Sequence, residues 1–222
     1  MSVSIKPDWE NIDTVLLDMD GTILDLSFDN FFWKEFMPQM YAEKKQISLQ
    51  QSQQFLKDSY ASVFGQLQWY CLDYWSEQLE IDIPALKMSV KDRVAFRPHA
   101  IEFLRFLQDN NKRVILATNA HPKSLEIKLL NANFHQYFED LSCSHEFGHP
   151  KEEQVYWQRL QEKYRFDPKR TLFVDDAVRI LKAAEDFGIA HLLGISQPDM
   201  TLDKIDSSPY DAVDDFLDII DQ

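Results

Sequence analysis

Thr14-Val15-Leu16-Leu17-Asp18-Met19-Asp20-Gly21-Thr22 is the stretch whose reading decides the fold. Four residues without a charge run straight into two acids and a glycine. A short unbroken apolar run implies a strand covered on both faces, as in the middle of a parallel sheet. The pattern recurs twice: Val114-Ile115-Leu116-Ala117 ends in Thr118-Asn119, and Thr171-Leu172-Phe173-Val174 ends in Asp175-Asp176. Residues 190–193 are a further strand candidate and 140–143 a weaker one. Helical stretches lie between them. One is opened by Pro98 and carries Ile101, Leu104 and Leu107 on one stripe; the others cover 152–163 and 177–187, the last stopping at Gly188. Pro suits a first helical turn and Gly a left-handed stop. Strands alternating with helices predict an α/β fold with a doubly wound parallel sheet.

Residues 24–96 lack that alternation. Segments 28–43, 49–64, 69–79 and 85–94 read as helices, and Ser48 with Gln51 makes a capping-box start for the second. The expected organisation is a core of residues 1–23 and 97–222, split by an all-helical insertion of residues 24–96. The insertion holds 14 of the 29 aromatic residues. That density predicts a core of its own and an aromatic-walled pocket.

Composition excludes several classes. With 23 Lys+Arg against 37 Asp+Glu, the net charge is -14. That argues against a nucleic-acid polymer as partner and against attachment to an anionic membrane through a basic patch. No apolar run approaches the roughly 18 residues of a membrane span. The first ten residues are polar, without the apolar centre of an export signal. Cys71 and Cys143 stand far apart, outside any C-x-x-C pair, and are expected as two buried thiols in a reducing compartment. Together these features predict a soluble cytoplasmic protein. His99, His121, His145 and His149 are expected as surface or capping residues. Residues 211–222 carry five acids and an amphipathic set of Val213, Phe216, Leu217 and Ile220, which predicts a docking helix. Only 5 glycines are present, and Gly-rich phosphate loops are absent.

An open parallel sheet binds ligands outside the carboxyl ends of its strands. There, Asp18, Asp20, Asp175 and Asp176 would converge with Thr118 and Asn119. Four carboxylates so close repel and raise one another's pKa, and a hard divalent cation removes the conflict. Mg²⁺ suits a few carboxylates, water and substrate phosphate oxygens. Lys151, between the third and fourth strands, can reach the same edge as a point charge for phosphate. Singly, each has a plainer explanation. Asp-Gly is a turn pair, Asp175-Asp176 and Thr118-Asn119 can cap helices, and a lone lysine is usually solvated. Those explanations do not account for all four falling on one edge.

In this order, D18-M-D20-G-T22, T118-N119, K151 and V174-D175-D176 resemble the haloacid dehalogenase-like (HAD) phosphohydrolases, and the insertion resembles their helical cap. The resemblance implies that Asp18 is the nucleophile, forming an aspartyl-phosphate. Asp20 would be the general acid and then base, with its backbone carbonyl on the metal. Asp18 and Asp176 would be carboxylate ligands of Mg²⁺, with Asp175 acting through water. Thr118, Asn119 and Lys151 would grip the phosphoryl oxygens. Dehalogenases of this family lack the acid at position 20, and transport ATPases carry a lysine where Met19 stands. L24-D-L-S-F-D-N-F-F-W33, Q68-W-Y-C-L-D-Y-W-S-E-Q-L79, T118-N-A-H-P122 and F147-G-H-P-K-E152 are similar to the bacterial GMP/IMP 5'-nucleotidase branch. This implies Mg²⁺-dependent hydrolysis of purine ribonucleoside monophosphates. Phe28, Asn30 and Trp69 are the candidate cap residues facing substrate. A sugar-phosphate phosphatase or phosphomutase on the same scaffold stays open, as does a non-catalytic metal-binding regulatory protein.

Overall fold

The computed structural model describes residues 6–220. Residues 1–5 and 221–222 lie outside them, and with these the start of the polar N-terminal stretch and the end of the expected C-terminal helix. One sheet of six parallel strands carries the fold: β1 (Thr14–Leu17), β2 (Arg113–Thr118), β3 (Asp140–Cys143), β4 (Thr171–Asp175), β5 (His191–Ile195) and β6 (Ala212–Val213). Their order is β3-β2-β1-β4-β5-β6, so the winding reverses direction beside β1. The sheet is doubly wound, as expected. Leu17 pairs with both Leu116 and Val174. That register sets Asp18 level with Asp175, and it places the ends of β1, β2 and β4 side by side.

Alternation along β1 feeds both faces of the sheet. Val15 and Leu17 join Phe103, Leu104 and Leu107 of α7 (Ala100–Asp109) on one side. Leu16 joins Trp157 and Leu160 of α10 (Gln154–Tyr164) and Leu181 of α11 (Val178–Phe187) on the other. Two further core helices, α8 (Pro122–Asn131) and α9 (Ser144–Phe147), follow β2 and β3. Gly188 ends α11 at φ +107, the left-handed stop that its position predicts.

The stretch between β1 and α7 is helical: α1 (Ser27–Phe31), α2 (Met37–Lys45), α3 (Leu49–Ser62), α4 (Leu67–Tyr70), α5 (Leu72–Leu79) and α6 (Ile83–Ser89). Phe32, Leu56, Leu72, Trp75 and Ile83 form a buried cluster separate from those at the sheet. The capping box of Ser48 and Gln51 is present at the start of α3. The chain enters and leaves through an antiparallel bridge between Leu24 and Phe96. Asp25 N–H donates to the Ala95 carbonyl at 2.9 Å, and Arg97 N–H to that of Ile23 at 3.0 Å.

Three expectations are corrected. The helix over 28–43 is interrupted by a π-helical turn at Phe32–Phe36. Pro38 follows directly, and a proline lacks the amide that a regular turn would need. The segment 69–79 divides into α4 and α5 at Cys71, whose sulfur accepts the Tyr74 amide at 3.4 Å as the cap of α5. The C-terminal segment is not a helix. Its backbone pairs with β5 as the edge strand β6, followed by a 3-10 turn at Phe216–Asp218. Gly194 N–H donates to the Asp211 carbonyl and Ser196 N–H to that of Val213. Of the expected apolar set, Val213 and Phe216 are buried, Leu217 and Ile220 are half-buried, and Ile219 is buried in addition.

Phe103 stacks on Phe216 with ring centroids 4.5 Å apart, and both are fully buried. Phe103→Ala is expected to lower the unfolding free energy by about 3–5 kcal/mol, read by urea denaturation. A loss below about 1 kcal/mol would mean that the C-terminal segment does not pack on α7.

Candidate active site

Asp18 follows directly on β1 and is buried, its amide donating to the Val174 carbonyl at 3.0 Å. The Lys151 ammonium sits between it and Asp175. Nζ donates to Asp18 Oδ1 at 2.6 Å, to Asp175 Oδ2 at 2.7 Å and to the Ala117 carbonyl at 3.0 Å. An ammonium has three protons, so all are engaged by protein groups. Burial opposes the charge of Lys151, yet the two carboxylates hold its pKa well above the usual lysine value. Burial pushes Asp18 up to about 6, against the pull of Lys151. The lysine backbone is fixed as firmly as its side chain. Its amide donates to Asn119 Oδ1 at 2.9 Å, and its carbonyl accepts from the Trp157 indole at 2.8 Å.

Asp175 accepts the Ala177 amide on its other oxygen at 2.8 Å, so both its oxygens have partners. The Asp176 pKa is raised well above the usual carboxylate value by burial, then by Asp175 and Asp18. Ligand oxygens of Asp18, Asp175 and Asp176 lie within 4.8 Å of one another. Gly21 has φ +82, and a Cβ there would stand 2.7 Å from Asp176 Oδ2. Only glycine allows the loop to approach this closely. An all-oxygen donor set of three crowded carboxylates fits a hard cation such as Mg²⁺.

Thr118 Oγ1 accepts the Ala120 amide at 3.0 Å and keeps its own O–H to donate. One Asn119 amide proton goes to Glu152 Oε2 at 3.1 Å. Glu152 also accepts from Tyr70 Oη at 2.6 Å and from Arg179 Nε at 3.2 Å on Oε1, which joins α4 of the insertion to the core.

Asp20 points toward the insertion and meets a chain of charges built on two buried lysines. Lys128 Nζ on α8 donates to Asp20 Oδ1 at 2.5 Å and to Asp29 Oδ2 at 2.6 Å, and Lys87 Nζ on α6 donates to Asp29 Oδ1 at 2.6 Å. Burial pushes Asp20 up to about 6, although Lys128 pulls it down. Asp29 is held well below the usual range: burial opposes its ionisation, and Lys128 and Lys87 together prevail. Sequence reasoning missed Lys128, Lys87 and Asp29. A usable signal exists in α8, where Lys128 stands four positions after Ser124 and three after Leu125 on the buried stripe. Lys87 stands likewise four after Ile83. A lysine on an apolar stripe implies a buried anion.

A cavity of about 510 Å³ joins these groups. Asp18, Asp20, Asp176, Thr118, Asn119 and Lys151 floor it, and Asn30, Trp33, Tyr60 and Trp69 wall it from the insertion. Asn30 also donates to Asp199 Oδ2 of the core at 2.6 Å. Phe28 does not line the cavity. It is 2% exposed and lies under the Lys87 and Lys128 ammoniums, 5.1 and 5.6 Å from its ring centroid. A ring backing two buried cations is held away from a ligand. Among the histidines, His121 caps α8, while His99 and His149 pair with Asp215 and Glu153. His145 departs from the expected surface or capping role: α9 turns its ring inward, and both ring nitrogens are buried without a hydrogen-bond partner among the described residues. Cys143 is buried as expected, and Cys71 is only half-buried.

A family model described as haloacid dehalogenase-like hydrolase matches residues 12–188. The chain is 40% identical over 212 residues to the GMP/IMP nucleotidase YrfG of Escherichia coli (strain K12), covering 96% of each. Among solved structures, a HAD phosphatase from Thermococcus onnurineus superposes with TM-score 0.78 at 17% identity, over 93% of this chain and 95% of that one. The putative HAD-hydrolase YfnB from Bacillus subtilis, bound to magnesium, gives TM-score 0.64 at 18% identity, over 91% and 94%.

The geometry sets a pH dependence. Asp18 has its folded pKa raised, so the stability it contributes is complete below its ordinary value near 3.8 and is lost as pH rises through about 6. Asparagine mimics the neutral acid and does not titrate. In EDTA, Asp18→Asn is therefore expected to gain on the wild type between pH 4 and pH 7 by on the order of 2 kcal/mol in urea unfolding. A gap that stays flat or narrows would contradict the burial account.

Proposed function

The chain belongs to the haloacid dehalogenase-like hydrolases and is a phosphatase of that family, and from that premise we propose that it hydrolyses purine ribonucleoside 5'-monophosphates, GMP and IMP, with Mg²⁺. One observation carries the substrate reading: the near end-to-end likeness to a GMP/IMP nucleotidase extends through the insertion that walls the cavity. Trp69, half-exposed on that wall, offers a π-face suited to a purine ring. Asn30 stands on the same wall with hydrogen-bonding capacity for base or ribose. The insertion is a cap, residues 24–96, over a core of residues 1–23 and 97–222. Two free cysteines and the absence of a membrane-spanning helix among the described residues support a cytoplasmic location.

In this reading Asp18 attacks phosphorus, and its new O–P bond forms as the bond to the ribose O5' breaks. Asp20 gives its proton to the departing alkoxide, which its raised pKa favours. It then takes a proton from the water that attacks the aspartyl-phosphate, freeing Asp18 and inorganic phosphate. Thr118 O–H and the remaining Asn119 amide proton hold phosphoryl oxygens. Lys151 reaches them by exchanging one of its three protein bonds, because no proton is idle. Asp18, Asp176 and the Asp20 carbonyl would hold Mg²⁺, with Asp175 acting through water, and the ion supplies charge neutralisation and alignment of the phosphoryl group.

A panel of GMP, IMP, AMP and sugar phosphates tests the assignment. GMP and IMP should be turned over fastest with Mg²⁺, EDTA should abolish turnover, and Asp20→Asn should lower kcat about 10²–10⁴-fold. Faster turnover of a sugar phosphate, or a rate indifferent to EDTA, would refute it. A second test concerns Lys128. It pulls the Asp20 pKa down, so Lys128→Met should raise that pKa. The acid must be protonated for leaving-group transfer, so the alkaline limb of kcat/KM should move to higher pH. Movement to lower pH would contradict the pairing.

A further inference from the structure

Three side chains outside the carboxylate site come together where the insertion meets the core. Cys71 stands at the break between α4 and α5, His121 at the start of α8 and His145 on α9. Their ligand atoms, one sulfur and two ring nitrogens, all lie within 4.8 Å of one another. The two imidazoles meet edge to face, with centroids 4.7 Å apart.

The electrostatics leave this cluster unsatisfied. Both ring nitrogens of His145 are buried without a hydrogen-bond partner among the described residues. Buried polar atoms are seldom left so, because burial without a partner costs about 1–3 kcal/mol. Burial, aided by His121, pushes His145 down to about 4, so it is a neutral imidazole with a free lone pair at neutral pH. His121 is also lowered, first by burial. Its Nδ1 accepts the Lys123 amide at a long 3.3 Å, so a metal would compete with one weak bond for its lone pair. Cys71 Sγ accepts the Tyr74 amide at the start of α5, which aims the sulfur at the two rings' side of the break. Asp73 Oδ2 lies 3.7 Å from His121 Nε2, while its other oxygen pairs with the Lys123 ammonium at 2.6 Å.

We propose that Cys71, His121 and His145 form a second metal site, for Zn²⁺ or a similar borderline d-block cation, that ties the helical insertion to the α/β core. A thiolate with two imidazoles selects such ions over Mg²⁺, which prefers oxygen. Tetrahedral Zn²⁺, with bonds of about 2.0 Å to nitrogen and 2.3 Å to sulfur, sets these ligand atoms about 3.3–3.5 Å apart, so small side-chain shifts complete the site. Water or Asp73 takes the fourth position. Cys71 releases its thiol proton to solvent as the metal binds. His121 lies two residues after Asn119, and Cys71 next to Tyr70, which bonds Glu152. A metal here would fasten the insertion against the edge that carries the phosphate-binding loop. The site does not depend on which phosphomonoester is the substrate.

Co²⁺ is the probe, added to the full chain with its carboxylate cluster saturated by Mg²⁺. Thiolate-bound cobalt gives a near-ultraviolet charge-transfer band that oxygen ligands cannot produce. The band should saturate at about one equivalent. It should vanish in Cys71→Ser, which keeps a competent helix cap and so should fold, as circular dichroism would verify. His145→Gln should weaken binding beyond the roughly 10–100-fold typical of outer partners. Cys143→Ser and Asp18→Asn should retain the band, which separates this site from the other thiol and from the carboxylates. Zn²⁺ should slow amide exchange across residues 67–72 and 119–123 in the wild type and not in Cys71→Ser. Absence of the band, its survival in Cys71→Ser, or unchanged exchange would each overturn the proposal.

Discussion

The ammonium of Lys151 held between Asp18 and Asp175 is the contact on which the rest of the structure depends. Removing one member of a buried ion group leaves its partners charged and unpaired, a loss of about 3–5 kcal/mol. The fold is arranged so that none can leave. Asp18 and Asp175 are fixed by the register of β1 on β4, Lys151 by Asn119 and the Trp157 indole, and Asn119 by the end of β2. The sheet edge is thus an electrostatic assembly as well as a hydrophobic one. It has one cation for three close carboxylates, Asp18, Asp175 and Asp176, and this shortage is what a divalent ion would correct. It also explains how a chain of net charge -14 can handle an anion. Attraction comes from the local site rather than from the global field.

A second chain of charge runs from Asp20 through Lys128 and Asp29 to Lys87, passing from core to insertion. Its two lysines are buried and its two carboxylates are largely shielded, so the insertion and Asp20 feel one another strongly. In the proposed mechanism the acid–base group is therefore tied to the insertion through Lys128. Asp29 and Lys87 of the insertion meet Lys128, which leaves Lys128 shared and its pull on Asp20 moderated. Tyr70, Glu152 and Arg179 form a second clasp, ending on the Asn119 amide. The insertion and the charged groups of the site are therefore joined at two points on the cavity rim.

The α/β core was legible because burial on both faces leaves a simple trace, a short apolar run ending in a polar pair. Three such runs located β1, β2 and β4, and one topological rule brought their ends together. The positions of Asp18, Asp175 and Asp176 followed from that rule, as did the reach of Lys151 to the same edge. Contacts joining distant helices were not legible. Nothing local to Lys87, Asp29 or Lys128 says that they meet, because the meeting is made by the packing of α1, α6 and α8. Phe28 carried the right composition for a substrate contact, but its direction depends on those same lysines. The C-terminal segment misled for another reason. Its apolar spacing suits a helix, yet the open edge of β5 offered hydrogen bonds that an isolated turn could not match, and a two-residue strand formed instead. Cys71, His121 and His145 share no sequence spacing, and only the meeting of α4, α8 and α9 joins them.

The account rests on Asp18 as the atom that takes the phosphoryl group, and direct capture of that group tests it. Wild-type protein turning over GMP with Mg²⁺ would be quenched in acid, treated with borohydride and digested for mass spectrometry. The account predicts that position 18 is phosphorylated before reduction and converted to homoserine after it. A phosphoryl group found on another residue, or an unmodified Asp18 peptide during robust turnover, would contradict it.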